Sequence, residues 1–424
     1  MLAVLRRRDF SLLWLSGLVS VAGDWVLMTA LPYYVYVRTG STIATAGMTA
    51  AELAPAIVLT SVAGVFADRW DRKRMLVIAA LSQAVAVLVL LLVRDDGMLW
   101  LVYVVAVAQS SISAFSMPAE AALLPTLVPR EEFVQANAMN ALNNRLGRLS
   151  GVPLGAALLG WFGLDAVVLV DAATFLVAAA LVAPIVVPTP AEPADQDESV
   201  AEVAHEAESA LASFWREWRE GLHVVRDDRT IAVLFLVFGL MTFGGTMIDP
   251  LFVPWIRDVL DEGVGVVAGL RMTHSLAGIV GSLLVGRYGG RLAPRQLIGW
   301  PSILAGIWLL IQYNVAVLWV AVVLTCIGGM TSVASSVGVE TLAQERVPER
   351  LRGRVFGSLQ GTIWLLSLLG AVVGGVLGDL VGILPALDLA ASLVLVSGVV
   401  VLIAIPARES GAASGRTEVD AERG

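Results

Sequence analysis

Long apolar runs, each ended by glycine, proline or charge, recur from one end of the chain to the other. Twelve of them approach the roughly 20 apolar residues a helix needs to cross the hydrocarbon core of a bilayer. They lie near residues 11–35, 44–66, 75–93, 98–118, 138–161, 164–187, 230–255, 264–286, 296–312, 315–338, 355–379 and 382–405. The pattern predicts an all-α integral membrane protein with twelve transmembrane helices. Composition agrees: 57% of the 424 residues are hydrophobic and only 15% are charged, which excludes a soluble fold of this length. The first run is of spanning length and lacks a small-residue cleavage site after a short core, so it is expected to persist as a helix.

The punctuation repeats. Shifted by 222 residues, Gly17 falls on Gly239, Gly23 on Gly245, Pro32 on Pro254, Gly64 on Gly286, Arg69 on Arg291 and Lys73 on Arg295. A second block matches at an offset of 219, where Pro129, Gly151, Gly155 and Gly163 meet Pro348, Gly370, Gly374 and Gly382. Repeats of this kind mark transporter architecture, and they predict two pseudo-symmetric six-helix bundles, residues 1–187 and 230–406. Between them, residues 188–229 begin with a proline-rich acidic stretch that reads as a solvated linker. It continues into Phe214, Trp215, Trp218, Leu222 and Val225 at the spacing of an amphipathic helix on the membrane surface. The polar tail, residues 407–424, is expected to be disordered.

Charge placement orients the bundles. Of 28 lysines and arginines, all but Arg38, Arg94, Arg257 and Arg271 fall in the tails or the even-numbered turns, which predicts both termini on the cytoplasmic side. The net charge of −8 argues against a nucleic-acid partner. Cys326 is the sole cysteine, so no internal disulfide forms, and its apolar neighbours favour a packing role. His205, His223 and His274 lack metal-site spacing, and no metal or other cofactor is expected. The single lysine, Lys73, does not follow a glycine-rich phosphate loop, so neither an enzyme nor a nucleotide-driven pump of that type is expected.

Ionisable residues inside the apolar runs cost roughly 2.5–3.5 kcal/mol each to insert, which makes each a functional candidate. Asp24 leads, mid-way along the first run with Thr246 as its repeat partner. A carboxylic acid in a low-dielectric setting can exchange a proton near neutral pH, as proton coupling requires. The alternative is a structural carboxylate capping a neighbouring helix. Glu52 aligns with His274 in the repeat, and Arg271 lies three residues before His274 on the same helix face, so the three suit a polar central cavity. Glu52 near the wetted surface is the other reading. Asp249 precedes Pro250, where a missing amide donor favours a bend, and is a cavity or gate candidate or a helix-end residue. Asp171 and Asp388 read as packing or hydrogen-bonding residues. Glu120 and Glu340 stand at the inner ends of the fourth helix of each bundle, where a gate that binds basic turns is expected. Asp68, at the end of the second run, can face a helix N-terminus or pair with Arg72.

The turn from Gly64 through Asp68, Arg69 and Arg72 to Lys73 resembles the loop signature of the major facilitator superfamily of secondary transporters. The resemblance extends through Gly23-Asp24, Ala30-Leu31-Pro32, Pro118 to Pro129, and Arg130 to Gly147, towards the branch containing macrolide efflux proteins and the enterobactin exporter. Members often carry an arginine in the fourth helix, where this chain has Gln109. The resemblance implies that Gly64, Asp68, Arg69, Arg72 and Lys73 form a conformational latch; its second-half copy keeps Arg291 opposite Arg69 but has Gly290 where Asp68 stands, and so lacks the carboxylate. It also implies a proton-coupled antiporter of a bacterial inner membrane that exports a mid-sized amphipathic compound by alternating access. An antibiotic or a siderophore would fit, moved by a monomer in the lipid bilayer. An importer, a lysolipid flippase or a transport-dead sensor of the same fold are the rival readings.

Overall fold

The protein, seen as a computed structural model, is described over residues 4–187, 229–346 and 352–405. The linker, its amphipathic helix and the tail expected from the sequence lie outside these residues. Twelve helices follow in order: α1 (Arg8–Thr39), α2 (Thr42–Arg69), α3 (Arg72–Leu88), α4 (Trp100–Leu127), α5 (Phe133–Phe162) and α6 (Leu164–Val182). The second six are α7 (Arg229–Pro254), α8 (Val264–Tyr288), α9 (Pro294–Asn314), α10 (Leu318–Arg346), α11 (Arg352–Val381) and α12 (Ile383–Ala404). No strand occurs among the described residues.

Eleven of these helices are long and apolar enough to cross a membrane. The exception is α5, which carries Asn137, Asn140, Asn143, Asn144, Arg145 and Arg148. Tertiary packing holds it in place. The expected bend at Asp249-Pro250 does not end α7, which continues through Pro250 to Pro254 before a π-turn over Trp255–Val259.

Helix packing follows the repeat. In the first half α1 packs on α5 and α6, α2 on α4, and α3 on α4 and α6. In the second, α7 packs on α11 and α12, α8 on α10, and α9 on α10 and α12. The halves meet through α2 with α11 and α5 with α8, which are equivalent pairs under the same shift of six helices. Glycines set the closest approaches. A Cβ on Gly151 would run into the Ala22 carbonyl, and one on Gly155 would stand 2.5 Å from the Val26 carbonyl oxygen. Gly370 and Gly374 abut the carbonyls of Phe243 and Met247 in the same way, so α11 sits on α7 as α5 sits on α1. The corners after α5 and α11 use Gly163 (φ +78°) and Gly382 (φ +98°), a left-handed backbone that disfavours any side chain.

Candidate transport pathway

Each bundle contains a polar cavity. That of the first half, about 490 Å³, is lined from α1, α3, α4, α5 and α6 and includes Asp24, Trp25, Gln83, Glu120, Asn140 and Asn143. Among the described residues Asp24 makes no hydrogen bond, and the helix cap weighed as its alternative role is not formed. Next to it, Asp171 is fully buried against Gly23, held by the Thr174 hydroxyl at 3.5 Å, while its Oδ2 has no partner. Two carboxyl groups on adjacent helices thus share a poorly solvated region.

The cavity of the second half, about 390 Å³, is lined by Asp249, Phe252, Arg271, His274, Trp308 and Tyr313, with serine and threonine hydroxyls from α9 and α10. Glu52, half-buried on α2, lies within the field of Arg271 and Asp249 of this cluster. The structure therefore gathers Glu52, Asp249, Arg271 and His274, and leaves Asp24 in the other bundle. Arg148 also lines the second cavity although it belongs to α5 of the first half, and its guanidinium lies 4.6 Å from the Trp25 ring centroid. Counting Arg148 with the basic residues of an inner turn is therefore corrected. The signal was present: it stands inside an apolar run, three residues before Gly151, on the face that packs against α1.

Among the described residues, no hydrogen bond or ion pair joins the expected gating residues to one another. Glu120 lines the first cavity, 3.7 Å from where a Gly17 Cβ would lie. Glu340 is exposed on α10. Arg291, in the α8–α9 turn, lies 5.6 Å from the Tyr288 ring centroid. Arg72 Nη1 donates to the Ala122 carbonyl at 3.3 Å, which ties the α2–α3 turn to α4, and Lys73 sits in the first turn of α3. Asp71, which the sequence did not single out, accepts from the Arg74 amide at 3.0 Å and caps α3. Gly64, Asp68 and Arg69 lie in the last turns of α2, and their side chains fall outside the described set.

A closure that sequence reading missed joins the bundles at the opposite end. Asp379 of α11 accepts from the Ser41 hydroxyl at 2.6 Å, the Thr42 amide and hydroxyl at 2.7 Å each, and the Ile43 amide at 3.3 Å. It therefore caps α2 from across the interface. Gly375 lets Thr42 approach closely enough to donate to its carbonyl at 2.6 Å, and Tyr36 donates to Asp258 nearby. The hydrogen bonds of Asp379, Gly375 and Asp258 all join the halves at this end.

Comparison with known proteins gives a consistent picture. A family profile described as the Major Facilitator Superfamily matches residues 13–273 and 234–423. The chain is 24% identical to the uncharacterized MFS-type transporter YkuC of Bacillus subtilis, covering 75% of this chain and 73% of that one. It is 27% identical to macrolide efflux protein A of Streptococcus pyogenes, covering 66% of each. Identity to the enterobactin exporter EntS of Escherichia coli is 24%, over 81% of this chain and 79% of that protein. Among solved structures, the nucleoside transporter NupG superimposes with a TM-score of 0.74 at 12% identity, covering 94% of this chain and all of the other. A bacterial homologue of the iron transporter ferroportin in an inward-facing state gives 0.72 at 16% identity, covering 93% and 98%. At such identities the structural likeness speaks for the fold alone.

Proposed function

Because the chain belongs to the Major Facilitator Superfamily, we propose that it is a proton-coupled exporter of a mid-sized amphipathic compound, working by alternating access as a monomer. Its setting is a bacterial inner membrane with both termini cytoplasmic, the orientation the basic turns favour. The observation that carries the coupling is Asp24, a carboxyl group in the first-half cavity with no hydrogen bond among the described residues and with buried Asp171 beside it. Such a group is available to take up and release a proton as the bundles rock. Glu120, in the same cavity, is a second carboxyl on the proton's route. The export direction rests on similarity to macrolide efflux protein A and to the enterobactin exporter.

In this account the Asp379 closure is the outer gate, and the structure corresponds to the state with that gate shut. The turn from Gly64 through Asp68, Arg69, Arg72 and Lys73, with Arg291 and Glu340 in the second half, forms the latch that closes the inner end in the alternate state. Glu52, Asp249, Arg271 and His274 line the substrate side of the pathway.

The test is proton flux in proteoliposomes. A compound first found to accumulate less in cells expressing the chain should drive proton movement in the native protein and almost none in Asp24→Asn. Unchanged proton movement in that variant removes Asp24 from the coupling role. Greater accumulation of every responsive compound favours an importer.

A further inference from the structure

Two guanidinium groups face the second-half cavity with their hydrogen-bonding capacity unspent. Arg271 lies 5.5 Å from the Phe252 ring centroid, and Arg148 lies 4.6 Å from that of Trp25. Stacking on an aromatic face fixes the plane of a guanidinium without using its N–H donors. Among the described residues neither guanidinium makes a hydrogen bond or an ion pair, and the Nε of each is buried without a partner. A third donor in the same cavity, Trp308 Nε1, is also buried and unpartnered. Buried donors left unmade are costly, and more so when charged. Three of them in one cavity is the pattern of a site awaiting acceptors.

We propose that this cavity recognises the anionic group of its cargo, so that the exported class is organic anions, such as carboxylates, with an apolar body. The proposal rests on the transport reading above and narrows it. The planar fork of a guanidinium matches a carboxylate in two parallel hydrogen bonds. Ile248, Leu309 and Val394 supply an apolar wall for the remainder of the molecule. The groups of opposite sign are Asp249, in the same cavity, and Glu52, within the field of Arg271. Neither lies within ion-pairing distance of a guanidinium, so they hold the arginines through space and compete with an incoming anion. A cation would face two guanidiniums that have no direct ion-pair partner, which disfavours basic cargo.

Binding is measured on the full chain in nanodiscs with three probes that share one dansyl-aminohexyl body and end in a carboxylate, a carboxamide or an amine. Signal from empty nanodiscs is subtracted. The carboxylate is expected to bind on the order of tenfold tighter than the carboxamide, with the amine weakest. Arg148→Gln and Arg271→Gln should each remove most of that preference. Asp249→Asn should tighten carboxylate binding by removing a competing charge, a gain that loss of structure does not produce. An amine bound as well as the carboxylate, or a preference that survives Arg148→Gln/Arg271→Gln, overturns the proposal. If the arginine variants fail to fold, the order of the three probes on the native chain decides alone. Because the readout is binding, it is independent of the proton-flux result with Asp24→Asn.

Discussion

Asp379 shows how one carboxylate can govern a conformational state. It spans the gap between bundles and terminates α2, whose first amides have no partner within their own helix. Loss of a helix cap costs about 0.5–2 kcal/mol, which is enough to move a two-state equilibrium several-fold. Asp379→Ala should therefore raise labelling by an impermeant maleimide at Thr45→Cys, in a Cys326→Ala background. Thr45 is 1% exposed in the closed arrangement. Unchanged labelling would separate Asp379 from the gate. At the other end, the Arg7 guanidinium sits 2.7 Å from Glu132 and holds that carboxyl below the usual range. A depressed acid adds stability that is present above its unfolded value, about 4.3, and is lost as pH falls through the folded value. Thermal unfolding of Glu132→Gln should accordingly be less sensitive to acid below about pH 4.3, by a small margin because both partners are exposed. Equal acid sensitivity would mean that the pair does not stabilise the fold.

At the scale of elements, the glycines of α5 and α11 are contact surfaces. Gly155→Val and Gly374→Val should each push a helix off its partner backbone, with overpacking costs of about 1–3 kcal/mol. The penalties should be similar because the contacts are repeats of one another. Gly286→Ala meets open space and should melt like the native protein in the same detergent assay. A Gly155→Val protein as stable as native would contradict the packing described. These glycines were legible in the sequence because a transmembrane helix that packs closely must shed its side chains at fixed spacing. Arg148 carried a signal of the same kind and was misplaced, because counting cations by turn assigns any arginine near a polar stretch to the membrane surface. In α5, Asn140, Asn143 and Asn144 of that stretch instead line the first-half cavity, and Arg148 the second. Asp379 escaped for a related reason. Near the end of an apolar run an aspartate reads as a boundary, and only the packing of α11 on α2 reveals that it caps a helix 337 residues away in sequence.

For the whole molecule, the repeat read from Gly17 to Gly382 anticipates the packing pairs of both halves, since each equivalent helix needs the same neighbours to bury its apolar surface. What spacing along the chain does not carry is which cavity a side chain enters. Glu52 crosses toward α7 and α8, and Arg148 enters the second-half cavity, because the interface between the bundles brings them there. That interface is hydrogen-bonded at the Asp379 end, and the account requires it to reopen. The most direct measurement is pulsed electron–electron spin resonance on full-length Cys326→Ala protein in nanodiscs. One spin-label pair spans the gated end at Gly40 and Leu380; a second spans the opposite end at Val134 and Glu340. Alternating access predicts two populations at each pair, with the Gly40–Leu380 distance growing as the Val134–Glu340 distance shrinks when exported compound or pH is changed. A single fixed distance at both pairs under every such condition would contradict it.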